Sequence, residues 1–249
     1  MRWSQSAVPD RKAPTWLTEW EYAHRGLHGE GVPENSLGAA RRAIERGMGI
    51  ECDIQRSADD APMVFHDWDL KRLVGINDAT ESLERESLGE LHYVDSPERI
   101  ATLAELLDLI GGRVPLLIEI KSKRGYDVAR TCDKVAKCLR DYRGQHAVMS
   151  FDPRVARWFR RHYPETTCGL VMREDDRGST QKAWQRRLAL WIAKPDFLAY
   201  HIAALPSRWV AALRANGLPV LTWTVNSPET RKLALAFADA LIAEGAGLA

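Results

Sequence analysis

The chain has 249 residues, 45% hydrophobic and 28% charged, so it can bury a sizeable core as one large domain or two small ones. Lys and Arg total 35 against 34 Asp and Glu, so no overall positive field favours nucleic acid or an anionic membrane. The four cysteines form no C-x-x-C pair and no zinc spacing, which indicates a reducing compartment. Without an apolar leader or a membrane-length apolar run, we expect a cytoplasmic protein with no integral membrane segment.

Nine short apolar runs, bounded by turn or charged residues, predict strands. They cover residues 22–26, 49–55, 62–67, 115–121, 146–151, 166–172, 197–202, 219–225 and 240–244. Amphipathic runs between them predict helices at 36–48, 101–110, 127–142, 153–162, 181–193, 206–216 and 228–237. Strands of the buried type alternating with helices predict a parallel sheet, and eight such strands predict a (β/α)8 TIM barrel in a single domain, 1–249.

Two segments depart from a plain barrel. The run at 62–67 follows the second strand after a short turn, so we assign it to a small insertion covering about residues 57–100. The rest of that insertion is polar and too long for an ordinary connection, and we expect it to form a lid. Little chain follows the last strand, so we expect the final helix to be missing or replaced by the N-terminal segment with Trp3, Trp16 and Trp20.

Charged side chains stand where the first three barrel strands end. They are His24 and Arg25 on the first strand, Glu51 and Asp53 on the second, and Glu119 and Lys121 on the third. Residues i and i+2 of a strand share one face, so each of the later two pairs points the same way, toward the barrel axis. Active sites of (β/α)8 barrels form at the carboxyl ends of the strands, which predicts one site here.

The residue types in this group indicate a chemistry. Three buried carboxylates need a cation, and oxygen ligands without Cys suit Mg²⁺ or Ca²⁺ better than zinc. Arg25 and Lys121 suit an anionic substrate such as phosphate. His24 and His66, the latter in the "FHD" stretch, can transfer protons near neutral pH.

The stretches "AHRG…PENS", "IECDIQ…MVFHDWDLKRL", "LIEIK" and "LTWTVN" follow one another over residues 22–244. In this order they resemble the glycerophosphodiester phosphodiesterase family. The resemblance implies a (β/α)8 barrel with an insertion after the second strand. It also implies a place in glycerol and lipid metabolism, with hydrolysis of glycerophosphodiesters such as glycerophosphocholine and glycerophosphoethanolamine to sn-glycerol 3-phosphate and an alcohol.

The resemblance also implies a role for each site residue. Glu51, Asp53 and Glu119 would hold the divalent metal, His24 and His66 would be the acid–base pair, and Arg25, Lys121 and Trp223 would bind substrate. Related barrel phosphodiesterases use an adjacent substrate hydroxyl as nucleophile and pass through a cyclic phosphate. Glycerol carries such a hydroxyl, so we adopt this route as a hypothesis, with His24 as base and His66 as acid.

Several positions have a second interpretation. Trp223 serves equally well as a core residue. Glu34 and Asn35 either orient His24 or Arg25 or start the following helix, which is the interpretation we favour, and Asp67 is a candidate to orient His66. The run 183–194 places Trp184, Leu188 and Trp191 near one face, with Arg186, Arg187 and Lys194 around it. We expect an outer barrel helix that buries this stripe, with a membrane surface contact as the alternative.

The sequence departs from the family pattern in two places. The ending "DALIAEGAGLA" has Ala243 and Glu244 where the family has Thr and Asp, and "SADDAP" (57–62) replaces a Thr-x-Asp-Gly turn that Asp60 can occupy.

Two further functions stay open. A lysophospholipase D-type enzyme would need an apolar groove in the insertion, formed by Leu70, Leu73, Val74, Ile76, Leu83, Leu88 and Leu91. A catalytically silent barrel would bind phosphodiesters only. Headgroup preference, native metal and oligomeric state have no sequence signal.

Overall fold

The computed structural model of the chain describes residues 12–176 and 178–248, so Trp3 lies outside the described residues. The chain divides into two compact units. The first unit is Ala23–His146, and the second combines Met1–Tyr22 with Ala147–Ala249. The single-domain assignment stays a prediction, and each unit is described in turn.

The first unit carries the start of the strand–helix alternation. Its elements are β1 (Tyr22–Ala23, which begins in the second unit), α1 (Leu37–Glu45), β2 (Gly49–Arg56), β3 (Pro62–Val64), α2 (Lys71–Val74), α3 (Arg85–Glu90), α4 (Leu103–Ile110), β4 (Leu116–Ile120) and α5 (Val128–Leu139). Strand β2 pairs in parallel with β4, in a register that puts Asp53 beside Glu119. Strand β3 pairs antiparallel with β2 and forms the predicted hairpin. Thr102 and Glu105 form the predicted capping box at the start of α4.

The second unit continues the alternation. Its elements are β5 (His146–Ser150, which begins in the first unit), α6 (Pro153–His162), β6 (Thr167–Met172), α7 (Ala183–Ala193), β7 (Phe197–His201), α8 (Arg208–Ala215), β8 (Val220–Val225), α9 (Pro228–Phe237) and β9 (Ala240–Ala243). Each of the strands from β5 to β8 pairs in parallel with the next one along the chain, which ends at β9. All nine predicted strands and all seven predicted helices are therefore present, as the (β/α)8 order requires.

The two ends of the described chain are joined through α9. Only a 3₁₀ turn, Gly245–Gly247, follows β9 as far as residue 248, so the structure has no final α-helix there. Arg231 on α9 donates to Glu21 Oε1 at 2.6 Å and to the carbonyl oxygen of Gly247 at 2.9 Å. Leu17, in the N-terminal segment, is fully buried. The described residues before β1, which begin at residue 12, are thus an integral part of the second unit.

The insertion is more ordered than the predicted lid. It holds β3, α2, α3 and a 3₁₀ turn, Thr80–Ser82, around a hydrophobic core of its own. That core consists of Met63, Phe65, Leu70, Leu88, Tyr93 and Ile100, with Leu73, Val74, Ile76, Leu83 and Leu91 packed against it. Its apolar side chains are therefore engaged inside the insertion, and the lipid groove that a lysophospholipase D-type enzyme needs gains no support from them.

The orientation of α7 contradicts the prediction of a buried Trp184–Leu188–Trp191 stripe. All three side chains are exposed, and the residues that α7 buries are Ala189, Leu190 and Ala193. Two apolar stripes run along this helix, and the one that faces inward carries two alanines where the exposed one carries two tryptophans. None of the described helices is long and apolar enough to cross a bilayer.

Candidate active site

A tight turn follows β1 and places Arg25. Arg25 and Gly26 both have positive φ, 56° and 77°, and the amide of Gly26 donates to the carbonyl oxygen of Ala23 at 3.1 Å. This turn ends the first strand three residues earlier than predicted. It also aims the amide of Arg25 at Glu51 Oε2, 3.0 Å away. The turn therefore fixes the position of Arg25 relative to the carboxylates.

Gly26→Ala is expected to lower the free energy of unfolding by roughly 2–3 kcal/mol, from steric overlap together with left-handed strain. A Cβ at Gly26 would lie 2.8 Å from the Cβ of Ala39 on α1, too close for an unshifted helix. Gly31→Ala is the matched control, because Gly31 has a φ of +76° but nothing within 4 Å of a built Cβ. Urea unfolding of both variants measures the difference. Equal losses would show that the contact with Ala39 contributes nothing.

Three buried carboxylates converge where β2 and β4 lie side by side. Glu51 and Asp53 are each 2% exposed and Glu119 is 8% exposed. One carboxylate oxygen from each lies within 4.8 Å of the other two. The parallel register explains the convergence, since it places Asp53 next to Glu119 and the two-residue period keeps Glu51 on the same face.

The donor set fits a hard divalent cation. Oxygen ligands lie about 2.0–2.6 Å from Mg²⁺ or Ca²⁺, so two ligands of one ion are separated by at most about 5 Å. The 4.8 Å limit on the three carboxylates meets this requirement. The trio contains neither sulfur nor imidazole, which favours Mg²⁺ or Ca²⁺ over zinc. Glu51, Asp53 and Glu119 can therefore hold such an ion.

Two basic side chains offset the negative charge of this trio. Lys121 Nζ lies 2.8 Å from Glu119 Oε1 and 3.0 Å from Asp53 Oδ1. Arg25 Nε lies 3.3 Å from Asp53 Oδ2, but its geometry is not that of a hydrogen bond. This buried N–H group is therefore left to donate to another acceptor, as an anion-binding role requires.

The burial and the mutual repulsion of these groups affect each pKa differently. Burial, followed by the charges of Asp53 and Glu119, raises the pKa of Glu51 well above its ordinary value. Burial also acts to raise the pKa of Asp53, but the positive charge of Lys121 and its neighbours outweighs it and lowers that pKa. The pKa of Lys121 is raised because two carboxylates outweigh the opposing effect of burial. A cation bound beside Glu51 would therefore favour the ionised form that burial and the neighbouring carboxylates disfavour.

Asn35 belongs to the site and not to the helix start that we had favoured. Its side-chain amide donates to Asp53 Oδ2 at 2.9 Å, and its side-chain oxygen accepts from the amide of Asp53 at 3.1 Å. Ser36, one residue later, is the N-cap of α1 and accepts from the amide of Ala39. Asn35 has a φ of 57°, a conformation that Asn tolerates better than most residues. Its two hydrogen bonds hold Asp53 in one orientation.

The two predicted acid–base residues both lie in the first unit. His24 Nε2 is 4.0 Å from Glu51 Oε2. His66 Nδ1 is 2.6 Å from Asp67 Oδ1, as the predicted orienting role of Asp67 requires. Burial alone would raise the pKa of Asp67, but its hydrogen bonds to His66 and Arg72 lower it, so this carboxylate accepts. His66 Nδ1 therefore carries the proton, and Nε2 is the nitrogen left for proton transfer.

A backbone clamp holds the His66–Asp67 segment. The side-chain amide of Gln55 donates to the carbonyl oxygens of His66 and Asp67 at 3.1 and 3.0 Å. The hydroxyl of Thr80, in the insertion, donates to the carbonyl oxygen of Asp67 at 3.0 Å. The position of the histidine is thus set by β2 and by the insertion together.

Arg72, for which the sequence predicts no role, connects Glu34, the partner of Arg25, with Asp67, the partner of His66. Its guanidinium binds Glu34 at 2.7 and 3.0 Å and Asp67 at 2.6 and 3.0 Å. Glu34 also accepts from Arg25 Nη1 at 2.6 Å. A continuous chain of contacts therefore runs from Arg25 through Glu34, Arg72 and Asp67 to His66. Its only sequence signal is an arginine shortly after the "FHD" stretch.

Arg72→Lys is expected to lower kcat about tenfold and to leave metal affinity unchanged, in the range seen when supporting residues around a site are replaced. Lysine keeps the charge but cannot bridge two carboxylates with a planar fork. Lys71→Ala, on the same helix and exposed, is the control. Steady-state kinetics and metal titration measure the effect. A kcat equal to that of the control would exclude a positioning role.

Trp223 lies on β8 in the second unit and is partly buried. Its indole N–H donates to the carbonyl oxygen of Ala199 at 3.0 Å. Its ring meets those of Phe151 and His201, with centroids 5.4 and 4.8 Å apart. These contacts hold the ring firmly, and its predicted substrate contact stays a prediction.

Similar proteins support one family. The model of the glycerophosphoryl diester phosphodiesterase family matches residues 24–244, most of the chain. The chain belongs to this family. A glycerophosphodiester phosphodiesterase from Caldanaerobacter subterraneus subsp. tengcongensis is 28% identical over 217 residues, covering 83% of this chain and 86% of its own. As a member of the glycerophosphoryl diester phosphodiesterase family, the chain is a phosphoric diester hydrolase, which confirms the predicted enzyme class.

Solved structures confirm the fold. A phosphodiesterase from Oleispira antarctica, in complex with the product sn-glycerol 3-phosphate, superposes with a TM-score of 0.80 at 24% identity, covering 92% of this chain and 94% of its own. A glycerophosphodiester phosphodiesterase from Thermotoga maritima gives a TM-score of 0.70 at 26% identity, covering 89% and 92%. The glycerophosphoryl diester phosphodiesterase fold of this chain is the predicted (β/α)8 barrel.

Proposed function

We propose that the chain hydrolyses glycerophosphodiesters, such as glycerophosphocholine and glycerophosphoethanolamine, to sn-glycerol 3-phosphate and an alcohol, with Mg²⁺ or Ca²⁺ bound. The observation that carries this proposal is the buried trio of Glu51, Asp53 and Glu119, flanked by Lys121 and Arg25. The Oleispira antarctica structure in complex with sn-glycerol 3-phosphate supports the nature of the product.

The charges suit a phosphodiester. A divalent ion, when bound by the three carboxylates, supplies polarisation of the phosphoryl group and neutralises its charge. Lys121 is held beside the carboxylates and stabilises the negative charge that grows on the phosphoryl oxygens in the transition state. Arg25 contributes a buried N–H, at Nε, that has no hydrogen-bond acceptor among residues 12–176 and 178–248. Trp223 lines the substrate pocket in this proposal.

The histidines divide the proton transfers. His24 removes the proton from the glycerol hydroxyl next to the phosphate, and that oxygen attacks phosphorus while the bond to the alcohol breaks. His66 gives its Nε2 proton to the leaving alkoxide, so a cyclic phosphate and a free alcohol result. His66 then takes a proton from water, the resulting hydroxide opens the ring, and His24 returns its proton to the glycerol oxygen. Both side chains end in their starting states.

Release of sn-glycerol 3-phosphate from glycerophosphocholine tests this function. Separate reactions contain EDTA, Mg²⁺ or Ca²⁺, and a coupled assay measures the product. Release with a metal and none with EDTA is the expected result. No release with either metal from folded protein would remove this substrate. Choline release from lysophosphatidylcholine would then test the lipid alternative, because that reaction leaves the acyl chain on the phosphate product.

A further inference from the structure

Helix α7 presents an unusual outer surface, here termed the α7 face and formed by Trp184, Arg187, Leu188 and Trp191. Trp184, Leu188 and Trp191 are 61%, 46% and 59% exposed. At positions i, i+4 and i+7, they lie on one side of the helix. Single exposed apolar residues are common on proteins, but a contiguous group with two tryptophans marks an interaction surface.

The α7 face is held outward at both ends of the helix. Near the first turn, Arg186 Nη1 donates to the carbonyl oxygens of Thr180 and Gln181 at 3.1 and 2.7 Å. At the last turn, Arg160 of α6 donates to the carbonyl oxygen of Lys194 at 2.7 Å. The opposite side of α7 is buried through Ala189, Leu190 and Ala193. The tryptophans therefore stay on the surface.

The charged residues of α7 and of the neighbouring helix α6 are all basic, although Glu174 in the loop before α7 forms an ion pair with Arg186 at 2.8 Å. Helix α7 contains no Asp or Glu between residues 183 and 193, and α6, which packs against it, contains none between 153 and 162. Arg157, Arg161 and Arg187 are exposed, and none of them has an ion-pair partner among residues 12–176 and 178–248. The whole chain carries a net charge of only +1, so this positive charge is local. The partner of the surface is therefore both apolar and anionic.

We propose that the α7 face binds the surface of an anionic phospholipid bilayer. Tryptophan rings favour the boundary between headgroups and acyl chains, where the indole body is buried and its N–H stays hydrated. Basic residues beside such an apolar stripe attract the negative surface of the bilayer. A second copy of the chain fits less well, because a two-fold contact through this face would bring the arginines of both copies together. This surface is independent of the proposed reaction.

Vesicle flotation at low ionic strength tests the proposal. The wild-type chain is expected to float with vesicles of phosphatidylcholine mixed with phosphatidylglycerol and not with phosphatidylcholine alone. The double variant Trp184→Ser/Trp191→Ser and the single variant Arg187→Glu are each expected to bind about tenfold more weakly or worse. Leu235→Ser, at an exposed leucine on α9, is the matched control and should bind like the wild type.

Two further measurements separate binding from misfolding and from self-association. Hydrolysis of soluble glycerophosphocholine and the melting temperature should be the same in the double variant as in the wild type. Light scattering should give one mass for both. The proposal is overturned by wild-type protein that does not float with anionic vesicles, by a double variant that floats equally well, or by wild-type self-association that the double variant abolishes.

Discussion

Glu51→Gln is expected to abolish metal-dependent hydrolysis while leaving the metal-free protein at least as stable as the wild type. Gln keeps the shape of the side chain but removes one of three charges that repel each other in a buried cluster. Replacing a residue that only supports a metal ligand typically costs 10–100-fold in affinity or activity, and loss of a ligand charge should cost at least about 100-fold. Function and stability should therefore change in opposite directions.

The raised pKa of Glu51 predicts the direction in which the stability of the metal-free protein changes with pH. The pKa of Glu51 is raised in the folded, metal-free protein, so the native state binds that proton more tightly than the unfolded chain does. The stability that this proton confers is fully present below the ordinary pKa of Glu and is lost as pH rises through the raised pKa. Gln does not ionise, so the loss should be absent in the variant.

Melting curves with EDTA, and then with Mg²⁺ or Ca²⁺, measure both effects. The wild type should gain about 2.7 kcal/mol when the metal is at a hundredfold excess over its dissociation constant, and the variant should gain much less. Glu45→Gln, at an exposed carboxyl on α1, is the control and should behave like the wild type. An equal gain from metal in Glu51→Gln and the wild type would rule out Glu51 as a ligand.

The site residues that lie on strands could be predicted from the sequence, because side chains along a strand alternate between its two faces. Glu51, Asp53 and Glu119 stand on one face for that reason, and the order of strands and helices brought β2 and β4 together. The capping box at Thr102 was also predicted correctly, because it depends only on the spacing between Thr102 and Glu105. These predictions needed no knowledge of which distant segments meet.

The roles of Arg72, Asn35 and the α7 stripe depend on contacts between segments that no sequence period relates. Arg72, on α2, pairs with Glu34, which lies 38 residues earlier in the turn before α1, and no spacing rule connects them. Asn35 and Ser36 are both good N-cap residues, so local propensity could not decide which one caps α1 and which one holds Asp53. The apolar period correctly predicted that α7 is a helix. The same period is compatible with two apolar stripes on that helix, and only tertiary packing decides which of them faces inward.

His24→Asn and His66→Asn are each expected to lower kcat on glycerophosphocholine by roughly 10²–10⁴-fold, the usual contribution of a general acid or base. Asn keeps the polarity of the side chain but cannot exchange a proton near neutral pH. His92→Asn, an exposed histidine of the insertion, is the control and should retain full activity. Melting temperatures identify any variant whose loss of activity comes from misfolding.

A diester with a 4-nitrophenyl leaving group separates the two roles. The 4-nitrophenolate ion leaves without a proton, so the general acid is dispensable and the general base is not. If His66 is the acid, His66→Asn should release 4-nitrophenolate from glycerol 3-phosphate 4-nitrophenyl ester in the first turnover at nearly the wild-type rate, while His24→Asn stays impaired. The first turnover is measured because His66 also activates the water that opens the cyclic phosphate in the second step. Recovery in His24→Asn alone would show that His24 is the general acid and His66 the general base.

The contact between His66 and Asp67 provides a third variant for the same comparison of substrates. Asp67 accepts from His66 Nδ1 and thereby leaves the other ring nitrogen to face the alcohol. Asp67→Asn should therefore impair glycerophosphocholine hydrolysis more than hydrolysis of the 4-nitrophenyl diester, in the same direction as His66→Asn but to a smaller extent. Equal losses on both substrates in all three variants would mean that neither histidine protonates the leaving group, since only such protonation makes the cost depend on the alcohol.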